Sequence, residues 1–95
     1  MSRRLDELRQ KILELDETLV SLVAERRALV LEVGRIKAEL GLPVLDPGRE
    51  AAVVRRAASL AREQGVDEEL MRDLIWRIIA SARTEQEGPA SDPGP

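Results

Sequence analysis

The sequence predicts an all-α protein of three helices per chain, a long first helix and two shorter ones, assembled as an intertwined homodimer. Three observations point there. Apolar residues recur at spacings of three and four through most of the chain. Two Gly-containing breaks divide it before a Pro/Gly/Ser-rich end. No segment alternates polar and apolar residues as a half-buried strand does.

The first helix is expected from about Asp6 to Leu40. Its apolar positions step by alternate threes and fours through Leu5, Leu8, Ile12, Leu15, Leu19 and Leu22. They resume at Leu29, Val33, Ile36 and Leu40, with Arg26 as the one exception on this coiled-coil seam. A helix of about 35 residues is roughly 52 Å long. A compact domain of this chain length has a radius of gyration near ~13 Å and a diameter of about 30–35 Å. The helix therefore overshoots its own domain. Two further helices of about 18–20 residues, roughly 30 Å each, cover it only as a thin rod that buries little. A second copy of the chain is the better cover, with the long helices paired antiparallel.

The first break, GLPVLDPG, spans residues 41 to 48, and the second helix is expected to open there. Asp46 caps its free N–H groups, and Pro47 sits at the position that tolerates proline best. Gly65 ends it, in the left-handed conformation that carries no Cβ penalty. The third helix opens at Asp67, with Glu68 and Glu69 complementing the positive end of its dipole. Its apolar stripe is Leu70, Met71, Leu74, Ile75, Ile78, Ile79 and Ala82, and it ends near Gln86 or Glu87. Residues 1–87 form the expected domain. Residues 88–95, GPASDPGP, have almost nothing apolar to bury and read as a flexible, linker-like tail.

Composition narrows the chemistry. The 95 residues make one domain, and 43% hydrophobic with 35% charged residues suits a soluble helical protein. Fifteen Lys and Arg against eighteen Asp and Glu leave a net charge of −3, with no positive excess to displace counterions from a nucleic acid. One Trp and no Phe or Tyr leave no platform on which bases could stack. Without Cys there is no disulfide or thiolate metal site, and without His the usual zinc ligand and general base are missing. Neither a metal nor a cofactor is expected. The opening MSRRLDELRQ has no apolar signal core, and no run approaches the roughly 20 apolar residues of a membrane span. No membrane partner and a cytoplasmic location are expected.

Arg26 is the residue out of place. A guanidinium on a core seam must be paired, since an unpaired buried charge costs several kcal/mol. The plain reading is an ion pair with a carboxylate such as Glu25 or Glu50, or a side chain that reaches the rim. Other cations favour an anion site instead. Eleven residues advance a helix by three turns to within about 20°, so Lys37 shares a face with Arg26. Arg49 and Glu50 open the second helix. Arg9 lies about 25 Å along the axis from Arg26, too far to serve the same pocket within one chain. Antiparallel pairing brings the partner's Arg9 back toward Arg26 or Lys37. Gln86, at the end of the third helix's stripe, adds a neutral amide donor. Several cations, one carboxylate, one amide and apolar walls suit a small dianion. No nucleophile with a partnered base, metal ligand set or phosphate-cradling Gly loop is present, so any catalysis works by electrostatics and orientation.

These residues resemble the all-helical class of chorismate mutases over about residues 5 to 87. The pattern is Leu8-Arg9, Ile12, Asp16, Leu22, Ala24-Glu25-Arg26-Arg27 and Glu32-Val33, followed by Lys37, Pro43-Val44, Asp46 and Arg49-Glu50. The last helix continues it through Gln86. The resemblance implies an interlocked dimer of three-helix chains. It also implies an isomerase that rearranges chorismate, a dicarboxylate, to prephenate on the route to Phe and Tyr, with no covalent intermediate and no cofactor. It gives Arg26 one substrate carboxylate and the partner's Arg9 the other. Lys37 takes a carboxylate and the ether oxygen of the breaking bond, to which Gln86 also donates. Glu50, with the backbone at Asp46, takes the ring hydroxyl, Arg49 supplies further positive charge, and Val33 and Ile79 form apolar walls. One position departs: Ala82 stands where the family often carries a hydroxyl, and Ser81 is turned about 100° away. The family also includes domains fused to other aromatic-pathway enzymes. Two alternatives stay open, an isochorismate pyruvate lyase on the same fold and a non-catalytic helical dimerisation or regulatory module.

Overall fold

The computed structural model describes residues 2–87, with side chains through Arg83; the expected tail at 88–95 and the side chain of Gln86 lie outside the described residues. The chain forms three α-helices, α1 (Arg3–Glu39), α2 (Pro47–Gln64) and α3 (Glu68–Glu87), and no strand occurs among the described residues.

α1 starts three residues ahead of the expected Asp6. The Ser2 hydroxyl accepts the Leu5 N–H at 3.1 Å, which satisfies one free donor of the first turn. Arg3 and Arg4 both reach Glu7, at 3.5 and 3.7 Å, about one turn on. The polar first turn is thus held by local pairs rather than by the apolar period, so the period alone places the start too late.

Each helix end is closed by its own residues. Gly41 adopts φ 70°, and its N–H donates to Ala38 O at 3.2 Å while Leu42 N–H donates to Lys37 O at 2.8 Å. These two bonds form a Schellman closure, and the left-handed residue it needs is glycine. Gly65, at φ 71°, closes α2 the same way, with Val66 N–H on Ala61 O at 2.8 Å. Asp46 caps α2 as the sequence predicts, accepting the Arg49 N–H at 3.1 Å, and Pro47 follows in the first turn. Asp67 accepts the Glu69 N–H at 3.2 Å ahead of α3. Across the α2–α3 corner Arg62 donates to Glu68 at 2.8 Å. That hydrogen bond holds the Glu68 carboxyl below the usual carboxylate range and pushes the Arg62 guanidinium up.

α2 folds back along α3, and α3 also packs on α1. The buried apolar residues are Ala57, Ala58, Ala61, Ile79 and Ala82, four of them alanine. Among the described residues no large side chain is fully buried. The chain extends 58 × 32 × 28 Å with a radius of gyration of 17.4 Å, well above the ~13 Å of a compact domain of this length. The seam residues of α1 stand out in the single chain: Leu15 is 67% and Leu29 63% exposed. No described helix is long and apolar enough to cross a membrane.

Candidate active site

A cavity of about 440 Å³ opens where the three helices and the α1–α2 connection converge. α1 contributes Arg26, Val30, Val33 and Lys37 to its wall. The positions 26, 30, 33 and 37 follow a helical stripe, so one face of α1 carries a cation at each end and two valines between. The connection contributes Val44 and Asp46, α2 adds Arg49, Glu50 and Val53, and α3 closes the cavity with Ile79 and Ala82.

Backbone geometry sets these side chains. The Schellman closure at Leu42 takes up the carbonyl of Lys37, so Lys37 stands in the last turn of α1 beside the point where the chain turns into the connection. Asp46 uses one carboxyl oxygen to cap α2, and that cap fixes the turn from which Arg49 and Glu50 project. Arg26 and Lys37 are half-buried. Among the described residues no carboxylate pairs with Arg26, Lys37 or Arg49. Of the two forms of the plain reading of Arg26, the ion pair is therefore not formed with Glu25 or with Glu50, while the half-buried side chain agrees with a reach to the rim.

Glu50 is committed elsewhere. It takes a two-pronged ion pair from Arg83 of α3, with Arg83 Nη2 donating to Oε1 and Arg83 Nε to Oε2, the latter at 3.3 Å. Both side chains are largely shielded, at 17% exposure for Glu50 and 29% for Arg83. The Arg83 guanidinium also lies 5.5 Å from the centre of the Trp76 ring, one α3 residue bracing another two turns on.

The structure thus brings together Arg26, Val33, Lys37, Asp46, Arg49, Glu50, Ile79 and Ala82 of the residues singled out from sequence. Arg9 is exposed near the far end of α1 and does not line this cavity in its own chain. The backbone of Gln86 continues α3 two turns past Ile79, on the same stripe by helical period. Ser81 is exposed and does not line this cavity, while Ala82 is buried against it. Val30, Val44 and Val53 complete the apolar wall. Sequence reading passes over Arg83 as a site neighbour. A signal for it exists: Arg83 falls four residues after Ile79 and three before Gln86, so it is a cation on the buried face of α3, as Arg26 is on α1.

An open, half-apolar cavity with three cations free of described internal acids suits small anions with two separated negative groups. Among the described residues no group of three or more acidic side chains is placed to hold a metal ion.

Comparison with known proteins gives a concordant result. The family model described as chorismate mutase type II matches residues 8–87. A chorismate mutase from Methanocaldococcus jannaschii is 41% identical over 70 residues, which are 74% of this chain and 71% of that protein. The 4-amino-4-deoxychorismate mutase of Streptomyces venezuelae is 37% identical over 75 residues, 79% of this chain and 73% of that one. The bifunctional chorismate mutase/prephenate dehydratase of Escherichia coli K12 is 38% identical over 80 residues, but this chain spans only 21% of its length. The solved structure of chorismate mutase (form II) from Thermus thermophilus superposes with a TM-score of 0.80 at 29% identity, covering 92% of this chain and 98% of that one. With three helices in the same arrangement and a matched sequence that runs through every element lining the cavity, the chain belongs to the chorismate mutase type II family, isomerases that convert chorismate to prephenate.

Proposed function

We propose that the cavity between α1, α2 and α3 is the chorismate site, and that two chains complete two such sites in an intertwined homodimer. The observation that carries this reading is the pairing state of the cations. Arg26, Lys37 and Arg49 face one cavity, and no described carboxylate neutralises any of them. Arg26 and Lys37 are half-buried on the cavity wall, where an anion from solution is attracted more strongly than in open water.

The dimer follows from the exposed seam. A chain whose buried core consists of four alanines and one isoleucine removes little apolar area from water, while Leu15, Leu19, Leu22 and Leu29 are all more than half exposed. Each such leucine contributes about 1.5–3 kcal/mol when fully covered. Antiparallel pairing of α1 covers them and carries Arg9 of the partner subunit to the cavity of the first.

The reaction is unimolecular. The ether C–O bond of chorismate breaks as a C–C bond forms, and no atom is gained or lost. The substrate must hold a compact chair in which its two reacting ends meet. Arg26 and Arg9 of the partner subunit anchor one carboxylate each, which selects that conformer and removes the orientation cost before reaction. As the C–O bond lengthens, negative charge grows on the ether oxygen. Lys37 and Gln86 donate there, and they bind the transition state more strongly than the ground state, which is the source of acceleration. Glu50 and the backbone at Asp46 hold the ring hydroxyl. Val33 and Ile79 keep the ring in an apolar slot, where each charge interaction is stronger than in water. At Ala82 a water or a neighbour replaces a hydroxyl contact, at a cost of about 1 kcal/mol or less for a neutral hydrogen bond. No cofactor takes part, the product feeds phenylalanine and tyrosine synthesis, and the enzyme works in the cytoplasm, alone or joined to another enzyme of that route.

Loss of chorismate absorbance on adding purified protein, with identification of the product, tests this directly. Prephenate is expected. Salicylate with pyruvate from isochorismate, in place of prephenate from chorismate, would assign the sister lyase reaction. No turnover, and no rise in Tm with a transition-state-like dicarboxylate, would leave a dimerisation module, because a ligand that binds only the native state must raise Tm.

A further inference from the structure

Glu50 lines the cavity, yet its charge is already answered by a residue that does not line it. Arg83 grips both carboxylate oxygens, and its guanidinium lies 5.5 Å from the centre of the Trp76 ring. Trp76, Ile79 and Arg83 follow one face of α3, so the brace, the apolar wall and the clamp are set by a single helix.

We propose that Arg83 is a positioning residue that sets substrate preference, making the site select a ring hydroxyl over a ring amine by neutralising Glu50. This rests on the reading of Glu50 as the residue that meets the ring substituent. An ionised carboxylate offers about four lone-pair sites, and the Arg83 fork occupies two. Accepting capacity is left for one hydroxyl proton, and a hydroxyl needs only an acceptor. A ring amine is an ammonium ion at neutral pH and needs uncompensated negative charge. In this cavity it meets a carboxylate already paired, with Arg26, Lys37 and Arg49 on the same wall. Asp46 keeps its charge while one oxygen caps α2, but it is the same in every Arg83 variant, so a change in preference between variants reports on Glu50. Replacing Arg83 by an uncharged residue releases the full charge of Glu50 toward the cavity. The hydroxyl substrate then loses an aligned acceptor, and the amine substrate gains a counter-ion.

The test is the ratio of kcat/KM for 4-amino-4-deoxychorismate to that for chorismate, measured for the wild type, Arg83→Met and Arg83→Lys in one buffer. Arg83→Met is expected to move the ratio about tenfold or more toward the amine, a discrimination well within reach of one charged contact. Arg83→Lys keeps the charge but loses the two-pronged grip and the ring contact, so its ratio is expected to fall between those of wild type and Arg83→Met. A purely structural role for Arg83 lowers both substrates together and leaves the ratio fixed. If Arg83→Met does not give folded protein, Arg83→Gln carries the same comparison with a polar side chain on the half-buried face. An unchanged ratio in the uncharged variant, with the wild type active on chorismate, overturns this proposal alone. A wild type that turns over neither compound overturns the reading of the site and this proposal with it.

Discussion

Arg26 and Lys37, three turns apart on one stripe of α1, stand half-buried on the wall of the same cavity, and neither has a carboxylate partner among the described residues. Val30 and Val33 stand between them and keep the two charges apart. An anion with groups at both ends is held along its length rather than at one point, which is what fixes a conformer.

Lys37 is the proposed donor to the reacting oxygen. Removing such a donor from a water-poor site costs about 3–4 kcal/mol, or roughly a hundred- to a thousandfold in rate. Lys37→Ala is expected to lower kcat by roughly a hundredfold or more while the circular dichroism and Tm stay near wild type. The side chain pairs with no described acid, so its loss orphans nothing in the fold. Turnover near wild type in a folded Lys37→Ala protein would remove the electrostatic mechanism.

The proposed sharing of each site between two chains makes a sharper prediction. Arg9→Ala and Arg26→Ala homodimers are each expected to be nearly inactive, because each lacks one of two carboxylate anchors in both sites. A mixed dimer of the two variants carries both lesions in one site and neither in the other. Refolding the two together is therefore expected to recover about a quarter of wild-type activity, since random pairing makes half the dimers mixed and each has one intact site. Recovery that stays at the level of the separate variants would argue that Arg9 and Arg26 do not meet across an interface.

The helices are legible in the sequence because each boundary has a local cause. Asp46, Pro47, Gly65 and Asp67 act within one turn of themselves, and the structure uses each as the sequence implies. Ser2 escapes notice since the apolar period begins after it. The stripe of Arg26 to Lys37 is legible by helical geometry alone. Arg83 is harder, because its partner Glu50 is 33 positions away and only the packing of α2 on α3 joins them. Nothing periodic links those two residues. Arg9 is a third case: periodicity places it on α1, and its own chain gives it no place on the cavity wall.

The corner between α2 and α3 gives a stability prediction with a definite sign. The hydrogen bond from Arg62 lowers the Glu68 pKa in the folded chain. A carboxyl depressed on folding stabilises the native state above its unfolded pKa, about 4.3 for Glu, and that contribution is lost as pH falls through the lower folded value. Glu68→Gln is expected to lower Tm slightly at pH 7, as befits an exposed pair, and the difference from wild type is expected to vanish once pH has fallen through the lowered folded value. A gap that persists unchanged into acid would show that Glu68 acts through packing and not through its charge.

Gln86 gives a prediction of the opposite kind, on activity. An amide does not titrate, so the proposed donation to the ether oxygen is independent of pH. Glu in its place donates only when protonated. Cations near a carboxyl favour its ionised form, while exclusion of water favours the neutral one. In either case the protonated fraction grows as pH falls, so Gln86→Glu is expected to be poorly active at about pH 7 to 8 and to recover toward acid. Wild type is expected to hold a flat kcat over the same range. The measurement is kcat against pH for both proteins, with Tm followed in parallel so that acid unfolding is not mistaken for loss of a donor. A Gln86→Glu profile as flat as wild type, at undiminished rate, would mean that the side chain at this position gives no proton to the transition state and that Lys37 serves the ether oxygen alone.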